Sequence, residues 1–248
     1  MWTEKDKKPI GLYLVLTFMI AWGFEGVLIL GERFGILTGD IGVVITFLII
    51  GFGAGFAPTY AIYIVLKKHQ KIKNIKDFTK LLLQTKNITR TLLIMLIFYG
   101  SQLMVYVITN KYLGEPWYLF ILYIPLMVIG GGMEETGWRG FLQPALEEKF
   151  SFTTSSFITG IIWACWHIPL WFIQGANQSS MNFLAFFLQC IALSFILGLL
   201  YKLTKSVLAV ILLHAWSNTL GGMFTLDILI KQPDMKLIII YSIEIIIT

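Results

Sequence analysis

Two adjacent carboxylates and an arginine interrupt an otherwise apolar run at Gly130-Gly131-Gly132-Met133-Glu134-Glu135-Thr136-Gly137-Trp138-Arg139-Gly140. Ionisable groups at membrane depth are costly unless paired or hydrated, so each one is a functional-site candidate. On a helix turning about 100° per residue, Glu135 and Arg139 are four apart, share one face and can form an ion pair. Glu134 lies about 140° around from Arg139 on the same helix and lacks that partner. The spacing therefore assigns Glu135 and Arg139 to bracing a site and leaves Glu134 for chemistry.

Few other polar residues fall inside apolar segments. His167 ends Trp163-Ala164-Cys165-Trp166-His167, and His214 shares a helix face with Asn218, four residues on. The third of the 3 histidines, His69, lies among loop lysines and takes no part in this reading. Two histidines, a carboxylate and an amide suit hydrolysis of a peptide bond. A desolvated Glu134 can serve as general base and then as acid, with His167 holding or polarising the water. His214 and Asn218 can donate hydrogen bonds to the developing oxyanion. Glu134, His167 and His214 also make up the three-ligand set of a catalytic zinc with an open position. No His-Glu-x-x-His helix accompanies them, so zinc-dependent and metal-free glutamate mechanisms both stay open. Cys165 and Cys190 sit in apolar runs and read as small buried hydrophobes.

These groups must be positioned by membrane helices. Hydrophobic residues make up 57% of the 248 and charged residues 13%, with mean hydropathy +0.77, which excludes an ordinary soluble domain. A spanning helix needs about 20 apolar residues. That rule predicts an all-α transmembrane bundle of about eight spans, at 10–30, 41–66, 91–109, 117–133, 155–173, 181–201, 206–226 and 235–248. No linker divides it, so residues 1–248 read as a single integral membrane domain whose motif-bearing core is 125–218.

The net charge is +5, but the lysines flank apolar segments without any nucleic-acid motif, so membrane lipids and not nucleic acid are the expected partner. If every span crosses, most of the 19 Lys and Arg residues fall on one side. The positive-inside bias then places the N-terminus, the 67–90 loop and the Glu134 end in the cytoplasm, in the plasma membrane of a prokaryote or an endomembrane otherwise. Depth counting along the spans leads to a cavity open to that same side. Within the 67–90 loop, the mixed Lys and apolar residues fit an amphipathic helix lying on the inner leaflet, or equally a solvated basic loop.

Taken in order, Glu134-Glu135-x-x-x-Arg139-Gly140, Trp163-x-x-x-His167 and His214-x-x-x-Asn218 resemble the three motifs of the CPBP family of intramembrane proteases. This family is also known as the Abi or CAAX-processing protease and bacteriocin-processing family, and it includes the type II CAAX prenyl endopeptidases. The second motif usually has phenylalanine where this chain has Trp163. The resemblance implies an intramembrane endopeptidase acting on a peptide or protein substrate, of which a lipidated carboxy-terminal peptide is the best-known case. By matching position it implies that Glu134 and His167 activate water, that His214 and Asn218 stabilise the oxyanion, and that Glu135 and Arg139 brace the site. A membrane immunity or scaffold protein that holds a partner on the same fold is the competing reading. A transporter would show paired broken helices in two halves, and only one such break is visible.

Overall fold

A computed structural model describes residues 9–225. The chain is a helical membrane bundle, and among the described residues the only extended pairing is an isolated antiparallel bridge between Tyr112 and Phe224. Helix α1 (Ile10–Arg33) returns through α2 (Gly39–Leu48), a π-helical stretch (Ile49–Ala54) and α3 (Ala57–Lys68). Helix α4 (Ile75–Leu83) follows, and α5 (Ile88–Thr109) leads to α6 (Leu119–Ile129). The short turn α7 (Glu135–Gly137) lies within the first motif and α8 (Gln143–Leu146) follows it, before α9 (Phe152–Trp166), α10 (Phe183–Thr204) and α11 (Val207–Met223).

Side-chain caps set several helix starts. Ser151, Asn182 and Ser206 accept from the amides of Thr154, Ala185 and Ala209 at the heads of α9, α10 and α11, satisfying N–H groups that a helix cannot satisfy itself. Large apolar side chains on α1 and α5 point outward, Met19 at 69% and Ile97 at 70% exposure, as a lipid-facing surface requires.

About eight spans is an overcount. Among the described residues four helices are long and apolar enough to cross: Ile10–Arg33, Gly39–Lys68, Ile88–Thr109 and Phe183–Thr204. A fifth arises if Leu119–Ile129 and Gly132–Leu146, bent by 40°, form one span. The expected 117–133 span stops at Gly130, where the glycine run turns. The expected 155–173 span stops at Trp166, because Pro169 cannot extend an α-helix and the chain tightens into a 3-10 turn, Ile168–Phe172. The 206–226 run is realised as 17 residues, Val207–Met223. The 235–248 run lies outside the described residues.

The basic residues gather at one end of the bundle. Lys67 and Lys68 end α3, Thr85 beyond α4 hydrogen-bonds Ser206 in the α10–α11 turn at 2.9 Å, and Lys202 stands 4.7 Å from the Phe152 ring. Helix α4 lies here, capped by Asn74, with Phe78 buried against Tyr63 while Ile75 and Leu83 stay exposed.

Candidate active site

The first motif is not one regular helix. A 3-10 turn (Gly132–Glu134), one turn of α-helix and a π-turn (Trp138–Leu142) succeed each other, and π-turns inside helices recur at functional sites. Two glycines let this irregular backbone press against α11. A Cβ on Gly132 would stand 2.8 Å from the Ile211 carbonyl oxygen. On Gly131 it would collide with Asn218 Nδ2 and lie 3.3 Å from His214 Nε2. The glycine run thus clears the space into which two side-chain nitrogens of α11 converge.

Glu135 lies at the centre of a closed clamp. Arg139 Nη1 donates to both of its carboxylate oxygens at 2.9 Å, and His214 Nδ1 stands 2.9 Å from Oε1. Glu135 and Arg139 are fully buried and His214 is 3% exposed. The ion pair expected from spacing is formed despite the π-turn, and the carboxylate also orients a histidine 79 residues away. Spacing within one helix carries no signal of that second contact. The Arg139 guanidinium lies 5.1 Å from the Trp163 ring centre, within the range of a cation–π contact.

Glu134 has a different neighbour. Its Oε2 accepts a 2.7 Å bond from Trp163 Nε1, while the Trp163 carbonyl stands 2.8 Å from His167 Nδ1. A carbonyl oxygen can only accept, so Nδ1 of His167 carries the proton, and a neutral ring offers Nε2 as an acceptor. If Nδ1–H of His214 likewise donates to Glu135, its Nε2 can donate only when the ring holds both protons. Trp163 therefore joins three motifs: it donates to Glu134, accepts from His167 and sets its ring edge-on to His214 at 5.3 Å. The sequence showed Trp163 only as an aromatic where phenylalanine is usual, which gives no sign of the indole N–H contact.

Glu134, His167, His214 and Asn218 all line one cavity of about 220 Å³. Glu134 and His167 also line a larger one, about 650 Å³, whose wall runs out to Glu32, Thr38, Gly39 and Gln174. Glu32 Oε2 accepts from the Gln174 amide at 2.8 Å, fastening the end of α1 to this rim. Glu32 and Gln174 lie at the far ends of α1 and α9 from the end that carries Lys67, Lys68 and Lys202. Twelve residues from Ser155 put His167 about 18 Å in at ~1.5 Å per residue, past the middle of a layer about 30 Å thick.

Among the described residues no three His, Cys, Asp or Glu side chains are grouped so as to hold a metal ion. No step below passes through a metal. Cys165 and Cys190 are free thiols, Cys190 buried. Sequence reasoning also passed over Glu25, which lines the larger cavity at 1% exposure. The signal was present: a lone carboxylate within an apolar span.

Residues 116–220, from the approach to α6 through most of α11, match the family model described as type II CAAX prenyl endopeptidase Rce1-like. The matched segment is Rce1-like. A curated relative, CAAX prenyl protease 2 of Methanococcus maripaludis, is 31% identical over 106 residues, which are 40% of this chain and 39% of that protein. Both similarities agree with the family read from the three motifs. The Rce1-like segment holds Glu134, Glu135, Arg139, Trp163, His167, His214 and Asn218, whereas α1–α5 precede it.

Proposed function

We propose that this chain is an intramembrane endopeptidase working at Glu134. The observation that carries the reading is the convergence of Glu134, His167, His214 and Asn218 on one cavity within an Rce1-like membrane segment. Glu134, as carboxylate, takes a proton from a water that His167 Nε2 holds as acceptor. The resulting hydroxide adds to the peptide carbonyl carbon. Asn218 Nδ2 and, as imidazolium, His214 Nε2 donate to the oxyanion beside Gly131. Glu134 then delivers its proton to the departing amine, the C–N bond breaks, and the carboxylate is restored for the next turnover. Glu135 and Arg139 act on His214 by orienting it.

With the basic end in the cytoplasm, the larger cavity faces the opposite side of the membrane. The substrate is a peptide segment, lipidated or not, presented from that face or from the adjoining lipid. Helix α4 and its lysines meet anionic headgroups on the cytoplasmic leaflet.

Detergent-purified wild type and Glu134→Gln are compared on a quenched fluorescent peptide library that includes prenylated carboxy-terminal peptides, with and without chelator and added zinc. Cleavage by wild type that is lost in Glu134→Gln and indifferent to chelator is the expected result. Cleavage retained in Glu134→Gln overturns the mechanism. Activity abolished by chelator and restored by zinc would replace it with a metal mechanism using the two histidines.

A further inference from the structure

Helix α1 buries a stripe of Tyr13, Thr17, Ala21, Glu25, Leu28 and Gly31. Glu25 is the one ionisable carboxylate in that stripe. It is 1% exposed, and its Oε2 has no hydrogen-bond partner among the described residues. Packing does not leave it there by accident of a loose helix, because Trp22, one turn earlier, donates from Nε1 to the Trp166 carbonyl at 3.0 Å and pins α1 beside the His167 turn.

The surroundings of Glu25 call for a positive guest. It lines the same cavity of about 650 Å³ as Glu134, with Glu32 nearer the rim. Among the described residues no Lys or Arg contributes to that wall, and Arg139, which does not line it, pairs through Nη1 with Glu135. Opposite α1, Gly51 and Ala54 of the π-helical stretch and Gly55 just after it contribute little bulk to the wall. A buried carboxylate oxygen without a donor, in a space large enough for a long side chain, favours a ligand that brings both the donor and the opposite charge.

We infer that Glu25 is a substrate-binding residue that receives a cationic nitrogen of the peptide, a lysine or arginine side chain or a free amino terminus, while the scissile bond lies at Glu134. This rests on the peptidase reading for its scissile bond, but the cation subsite can be read by binding alone. The preference it creates is for peptides carrying a positive charge a few residues from the cleaved bond.

The test uses the full chain with Glu134→Gln as the background, so that binding is measured without turnover. Fluorescent decapeptides of fixed apolar sequence carry a single lysine, or norleucine in its place, scanned through each position, with the amino terminus free or acetylated. Anisotropy should show at least about tenfold tighter binding of one lysine register, or of the free amino terminus, than of its neutral counterpart. Adding Glu25→Gln should erase that difference and leave neutral peptides binding as before. Equal binding of charged and neutral peptides, or a cation preference that survives Glu25→Gln, overturns the proposal. Should Glu25→Gln fail to fold, Glu25→Asp must keep the preference, and n-butylammonium but not n-pentanol must displace the lysine peptide from the Glu134→Gln protein. Loss of cleavage in wild type with the cation preference intact would strike the peptidase reading and spare Glu25.

Discussion

Glu134 and Glu135 are the same residue type, adjacent in the chain and both buried, yet they belong to regions built on opposite plans. Around Glu135 the structure is closed: both oxygens bind Arg139, one also meets His214, and Trp163 covers the guanidinium. Around Glu134 it is open, with one indole donor on Oε2 and two cavities meeting at the carboxylate. The difference teaches that burial alone does not separate a brace from a reactive group. Completeness of the partner shell does, because a saturated carboxylate has no lone pair to offer water, whereas an undersaturated one in a cavity does.

Four substitutions test how far that contrast holds. Glu134→Gln should cost about 10²–10⁴ in cleavage rate, the range for a lost general base, with an unchanged thermal melt. Arg139→Ala should act on the other side of the comparison and destabilise the fold by about 3–5 kcal/mol, since it strands a buried carboxylate. Its signature is a lowered melting temperature or yield; a normal melt would show that the clamp is not a brace.

Gly131→Ala probes the boundary between the two regions. Its Cβ would displace Asn218 Nδ2 and crowd His214 Nε2, so kcat should fall by about 10²–10³, as on loss of an oxyanion donor. Substrate binding, followed by anisotropy in the same variant, should change little. Trp163→Phe should have the smallest effect. It keeps the ring that packs on Arg139 and His214 but removes the donor to Glu134, a change of about 0.5–1.5 kcal/mol. Steady-state kinetics should read this as a several-fold fall in kcat/KM.

Legibility in the sequence varied with the range of the interaction. The i,i+4 pair of Glu135 and Arg139 and the shared face of His214 and Asn218 could be read from helical spacing, because backbone geometry alone decides them. The number of spans could not, since Pro169 and the glycine run at 130–132 break helices whose apolar composition continues through the break. Nor could the mouth of the cavity be read. It depends on α9 stopping at Trp166 and on Glu32 meeting Gln174 across 142 residues, and no local pattern encodes such a contact.

What the sequence by itself determined is the membrane class, through apolar runs too long and numerous for a soluble core, and the types and order of the candidate site residues. It also determined the basic end, because charges that cannot enter lipid mark where helices emerge. Only the tertiary structure decided which carboxylate is saturated and which is open, that Trp163 joins Glu134 to His167, and that Glu25 on α1 faces the same cavity. Each of these is a contact between helices distant in sequence, fixed by how side chains pack once the bundle closes, and helical periodicity holds no information about a neighbour on another helix.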